Sequence, residues 1–153
     1  ALADGKAMNY AMDAAAGEWQ LTDYVRKGIE LLDNKKGFFL MTESGKIDWA
    51  CHANDAAASI HDVLEMSNAV QAAVDFYNAH PNETLILVTA DHETGGLVLV
   101  DGDERTGRVM GVYVSDDHTP AMLPVFAYGP GADKFCGTYM NTEIARRIKS
   151  LIK

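Results

Sequence analysis

Residues 37–55 read GFFLMTESGKIDWACHAND, and the change of character inside this stretch decides the fold. Gly37 to Thr42 is a short, continuous apolar run, which predicts a strand buried on both faces. At Glu43-Ser44-Gly45-Lys46 the chain turns polar at once. Polar loops at the ends of buried strands are where open α/β sheets hold ligands. The pattern recurs at Thr84 to Thr89, TLILVT, a second apolar run that ends in Asp91-His92-Glu93-Thr94-Gly95-Gly96. Two buried strands separated by helices, each followed by acids and imidazoles, is the βαβ pattern. It predicts an α/β fold.

Outward from these strands the periodicity supplies the helices. Thr22 is the expected N-cap of a helix whose Val25, Ile29 and Leu32 form one apolar stripe, with Asp23 on the positive end of its dipole. Lys35-Lys36-Gly37 gives the stop signal. A helix is predicted from about His52 to Met66, with Ala56, Ile60, Val63 and Leu64 on its core side. A second is predicted from an N-cap at Ser67, with Val70, Ala73, Val74 and Tyr77 inward and His80-Pro81 as its end. Leu97 to Val100 and Val109 to Val114 flank the turn-like segment 101–108 and read as a hairpin; Leu123 to Tyr128 reads as a strand closed by Gly129-Pro130-Gly131. Asn141 caps a last helix with Ile144, Ile148, Leu151 and Ile152 facing inward. Residues 1–20 carry no clear period and are read as an irregular lead-in, with residues 21–153 as the folded portion.

The bulk numbers exclude several functions. The 153 residues are 48% hydrophobic and 23% charged, a globular balance that fits one domain or a large piece of one. A formal charge of −9 with 13 scattered Lys and Arg argues against a nucleic-acid binder and disfavours anionic membranes. No apolar run is long enough to span a bilayer. The opening ALADGKAMNYAMD has neither the basic start nor the apolar centre of a signal peptide. Cys51 and Cys136 are too few for a disulfide framework and read as small buried residues, with a single disulfide between them as the alternative.

The chemistry sits in three places. Asp48 and His52 are four apart, so both can face one side of a helical turn and share an ion. Asp91 and His92 follow a buried strand, where Gly95 and Gly96 permit the turn that aims both at one point. His118 lies in a polar loop before a strand. Carboxylate oxygen with neutral imidazole nitrogen suits zinc, whereas Glu43 offers only oxygen and suits magnesium. Two zinc ions about 3.5–4 Å apart would clamp the attacking and leaving oxygens of a phosphoryl transfer. His61 lies nine residues past His52, on the opposite side of the same predicted helix, and His80 sits at a helix C-terminus; both are read as structural.

GFFLMTESGKIDWACHAND, TLILVTADHETGG and DHTPAMLPVFAYGPGA together resemble the C-terminal half of alkaline phosphatases, in order, from about Leu21 to the end. The resemblance implies a three-layer sandwich with a mostly parallel sheet. It also implies a zinc- and magnesium-dependent hydrolysis of phosphate monoesters through a seryl-phosphate intermediate, with release of inorganic phosphate. By position, Asp48, His52 and His118 match one family zinc site, Asp91 and His92 match a second, and Glu43 matches a magnesium ligand. The family's Asp-Ser-Ala nucleophile segment is absent, and none of Ser44, Ser59, Ser67, Ser115 or Ser150 matches it. Trp49 stands where family members vary and often carry Lys or His. The chain alone is therefore expected to be silent while its longer parent is active. The alternative is a non-catalytic metal-binding or interaction fragment. A periplasmic or extracellular location and a homodimer are implied by the resemblance only.

Overall fold

The computed structural model describes residues 7–152, so residues 1–6 of the expected lead-in lie outside the described residues. Helix α1 (Leu21–Leu32) starts two residues earlier than expected, with Gln20 in place of Thr22 at its N-cap. Asp23 accepts from the Gln20 backbone N–H at 3.0 Å, so the capping contact belongs to Gln20 and not to Thr22. Thr22 is freed for a long-range role: its N–H and hydroxyl both donate to Glu65 Oε1, at 2.8 and 2.7 Å. The helix ends at Leu32, and Lys35-Lys36-Gly37 form the turn beyond it.

Helix α2 (Gly45–His52) and helix α3 (Ala56–Ala79) replace the two predicted helices. Asn54 takes a left-handed φ of 55°, and the Asp55 carboxylate caps α3 by accepting from Ala58 N at 3.0 Å. His52 therefore closes one helix and does not open the next, and His61 lies on a different helix from it. Nothing interrupts α3 at Ser67, because no Gly or Pro falls between Ala56 and Ala79. Its inward face is made of small residues: Ala58, Ser59, Ala69 and Ala72 are buried, while Val63 and Leu64 are exposed. Ala69 and Ala72 let α1 approach closely enough for Val25, Leu21 and Ile29 to pack on them.

The two apolar runs depart from expectation. Residues 37–42 form neither helix nor strand, and no strand among the described residues pairs with them. Phe38 packs edge-on against Phe76 at 5.6 Å between ring centres, while Phe39 and Met41 on the other face are exposed. The other run holds strand β1 (Ile86–Val88), which pairs antiparallel with β6 (Phe126–Tyr128). The remaining strands β2 (Glu93–Thr94), β3 (Val98–Asp103), β4 (Arg108–Val112) and β5 (His118–Thr119) form two more antiparallel pairs, β2 with β5 and β3 with β4. Every strand pair among the described residues is antiparallel, so the expected mostly parallel sheet is not formed by these residues alone.

The predicted hairpin is present as β3–β4, with strands that reach into the segment 101–108 expected as turn and an Arg108–Asp101 ion pair at 2.8 Å across them. Helix α4 (Thr142–Leu151) follows Asn141, which holds the N-cap position without a side-chain bond. Ile144, Ile148 and Leu151 are half-buried, but Ile152 lies past the helix and is exposed. Both cysteines are free, and Cys136 is exposed rather than buried.

Candidate metal centre

Helix α2 presents Asp48 in its first turn and His52 in its last. One turn of rise with about 40° of rotation puts the two side chains on one face. Against that face lies the β2–β5 ribbon, in which Thr94 is paired with His118. The ribbon reaches α2 because of Gly95, whose φ is +84°. A Cβ there would stand 2.6 Å from Tyr113 Cδ1 and 3.0 Å from the Cys51 carbonyl oxygen, so only glycine permits this approach. Gly95 also fixes the loop that carries His118: its N–H donates to Asp117 O at 3.0 Å and its carbonyl accepts from Val114 N at 3.0 Å.

The structure brings Asp48, His52 and His118 together, with one ligand atom of each inside a 4.8 Å group. His52 Nε2 is 3.1 Å from His118 Nε2 and 3.4 Å from Asp48 Oδ1, and His118 Nε2 is 3.7 Å from the same oxygen. Ligands at about 2.0–2.2 Å around a tetrahedral zinc stand about 3.3–3.6 Å apart. The three separations bracket that edge length, and all three side chains are partly exposed to solvent. The donor chemistry fits too. His52 Nδ1 lies 2.6 Å from the Asp116 carbonyl oxygen, which only accepts, so the proton sits on Nδ1 and the Nε2 lone pair faces the cluster.

Electrostatics favour positive charge at this point. The Asp116 carbonyl raises the pKa of His52 above its usual value; burial opposes this, and the carboxylates of Asp48, Asp117 and Asp116 add to the rise. A divalent cation would compete with that proton for the same electron pair.

His92 stands at the edge of the cluster. Its ring stacks on His118 at 3.5 Å between centres, and Nδ1 lies 4.0 Å from Asp48 Oδ1. Its Nε2 is 3.5 Å from Asp91 Oδ2, a further tetrahedral-edge distance, although that carboxylate is otherwise exposed. Glu43 precedes α2, with its carboxylate over Gly45, and belongs to no group of ligands among the described residues. Sequence reasoning missed two participants. Thr94 is buried and its hydroxyl donates to Asp48 Oδ1 at 2.6 Å; its only signal was its position two residues after His92. Asp116 acts through its backbone carbonyl, for which no sequence signal exists.

Helices around short strands, with an acid and two imidazoles gathered beside a glycine turn, define an α/β protein with a candidate divalent-metal centre. Comparison with known proteins gives the family. The sequence pattern of the alkaline phosphatase family matches residues 2–112. Alkaline phosphatase 4 of Bacillus subtilis is 27% identical over 94% of this chain and 46% of its own length. Alkaline phosphatase of Escherichia coli is 31% identical over 87% of this chain and 31% of its own length. Among solved structures, a mutant of the alkaline phosphatase from the Antarctic bacterium TAB5, with Mg bound in its M3 site, superposes with a TM-score of 0.84. It is 32% identical and covers 96% of this chain and 44% of that one. The chain belongs to the alkaline phosphatase family, and it spans less than half the length of these relatives.

Proposed function

We propose that this chain supplies the C-terminal part of a zinc- and magnesium-dependent phosphate monoester hydrolase that works through a seryl-phosphate intermediate. The observation that carries the reading is the spacing of Asp48 Oδ1, His52 Nε2 and His118 Nε2, three atoms 3.1–3.7 Å apart on partly exposed side chains. In this reading those three residues hold one zinc, Asp91 and His92 contribute to a second, and Glu43 contributes to magnesium. The bound ions would supply positive charge to the oxygens of a phosphate group. The chain's own residues do the positioning: Asp116 holds the His52 ring, and the β2–β5 pairing sets His118 beside it. In the longer parent the bare flanks of residues 37–42 and β1 join a larger, mostly parallel sheet. Family membership supports a periplasmic or extracellular parent that forms a homodimer. Among the described residues no helix is long and apolar enough to cross a membrane.

The nucleophile is assigned to the parent and not to this chain. Ser59 is buried against Cys51 at 3.4 Å, and the Ser115 hydroxyl accepts from Asp117 N at 3.0 Å. Calorimetric titration of the 153-residue chain with zinc tests the metal reading. One ion should bind, and His118→Ala should remove it; absence of binding by the folded wild-type chain refutes the reading. With zinc and magnesium added, the chain alone should leave an aryl phosphate intact, whereas a longer parent should cleave it at alkaline pH.

A further inference from the structure

We propose that Thr94 is a positioning residue that links the two candidate zinc sites, orienting Asp48 in one and fixing the tautomer of His92 in the other. The inference rests on the zinc reading above. Thr94 is buried to 6% exposure, and its Oγ1 lies 2.6 Å from Asp48 Oδ1 and 3.1 Å from His92 Nδ1. A threonine hydroxyl has one proton to give. An ionised carboxylate can only accept, so that proton goes to Asp48. Toward His92 the hydroxyl oxygen is then left as an acceptor, and Nδ1 must carry the ring proton. The result is a directed chain, His92 Nδ1–H to Thr94 Oγ1–H to Asp48 Oδ1. It leaves the His92 Nε2 lone pair on the side of Asp91, whose Oδ2 is 3.5 Å away.

The fold holds this hydroxyl where it is needed. Thr94 is the β2 residue paired with His118, and Gly95 turns the chain immediately after it. A β-branched side chain has few χ1 choices, so the turn sets the direction of Oγ1. Among the described residues, Thr94 is therefore the one side chain in hydrogen-bond contact with a ligand of each proposed site. Imidazole tautomers in metal sites are set by the bond that the non-ligating nitrogen makes, and loss of such a partner typically lowers metal affinity about 10–100-fold.

Two readouts test this on the full chain. The first is metal-free: long-range nitrogen–proton NMR of the imidazoles at alkaline pH. In the wild type and in Thr94→Ser, His92 should appear as the Nδ1–H tautomer; in Thr94→Val it should shift toward Nε2–H. The second is zinc affinity by competition with a chromophoric chelator. Thr94→Val should lose about 10–100-fold and Thr94→Ser should stay within a few-fold of the wild type. Circular dichroism confirms that each variant is folded, and Thr94→Ala replaces Thr94→Val if the latter is not. A wild-type His92 found as Nε2–H overturns the proposal without any variant. So does a hydroxyl-free variant that keeps both tautomer and affinity, or one that loses affinity with the tautomer unchanged. Failure of the wild type to bind zinc would overturn the metal reading instead, and the tautomer would still judge Thr94.

Discussion

Replacing Gly95 by alanine should damage both stability and metal binding, and Gly107→Ala provides the control that separates the causes. Both glycines have left-handed φ, +84° and +70°. A Cβ at Gly107 meets nothing within 4 Å, so that variant bears only the conformational cost of a side chain at positive φ, about 1–2 kcal/mol. At Gly95 the new methyl would stand 2.6 Å from Tyr113 Cδ1, 3.0 Å from Tyr113 Cε1 and 3.0 Å from the Cys51 carbonyl oxygen. Carbon atoms in contact prefer about 3.5–4.0 Å, so the methyl arrives roughly 1 Å too deep. Neither neighbour gives way freely. The Cys51 carbonyl belongs to the last turn of α2, and the Tyr113 hydroxyl is itself enclosed without a hydrogen-bond partner. Overpacking of this kind costs about 1–3 kcal/mol. Gly95→Ala should therefore lose about 2–5 kcal/mol in urea unfolding, against about 1–2 for Gly107→Ala. The strain is relieved only by moving the ribbon off α2, which separates Thr94 and His118 from Asp48 and His52. Zinc affinity should fall in Gly95→Ala and hold in Gly107→Ala. Equal stability losses and equal zinc affinities in the two variants would refute the close-approach argument.

Three further outcomes follow from contacts away from the ligands. Thr22→Val keeps the backbone bond to Glu65 but loses the hydroxyl's, and should lower unfolding stability by about 1 kcal/mol, read from the urea midpoint. Burial raises the pKa of Asp62 above its usual 3.8, against a smaller lowering by the Ala11 N–H bond. With the folded value raised, its contribution to stability is fully present below the unfolded pKa and is lost as pH rises through the folded one. Asp62→Asn keeps an acceptor for Ala11 N, so it should gain on the wild type as pH climbs through the acid range, then stay level; a gap that shrinks with rising pH would reverse the sign. A thiol reagent should modify exposed Cys136 quickly and buried Cys51 only on unfolding, giving a fast and a slow phase in the absorbance trace.

What could be read in the residues depended on how local the cause was. The hairpin at 98–112 and the last helix answer to turn composition and periodicity within a few residues, and both are present near their predicted bounds. The pairing of Asp48 with His52 follows from four-residue spacing on one helix and needs nothing from elsewhere. The break between α2 and α3 also had a local signal, since Asn tolerates the left-handed region and Asp caps, yet the alanine-rich run after it masked the boundary. The join at Ser67 failed for a different reason. A serine that can cap a helix is also tolerated inside one, and the contacts that keep α3 whole come from α1 and α2. Residues 37–42 show the limit most plainly. An apolar run specifies burial, but only a neighbouring strand makes it a strand, and the order and direction of partners is a property of the whole sheet. Thr94 was hidden because its importance arises from a contact 46 positions away in sequence.

That difference in locality bears on what this chain can do by itself. Large apolar side chains stand exposed on residues 37–42 and on β6, among them Phe39, Met41, Phe126 and Tyr128. The buried apolar residues are mostly small, and no large side chain is fully buried among the described residues. A sheet in this condition contributes little to rigidity. The candidate centre does not depend on it. Its contacts are the Asp55 cap on α3, the close approach at Gly95, the Asp116 carbonyl on His52 and the Thr94 hydroxyl on Asp48, all drawn from residues 48–118. Preorganisation of three ligands therefore comes from a helix and a two-stranded ribbon, while the unsatisfied apolar surface belongs to the elements around them. On the proposed reading, metal binding and sheet completion are separable: zinc should still bind the chain alone, and phosphatase activity should require the completed sheet.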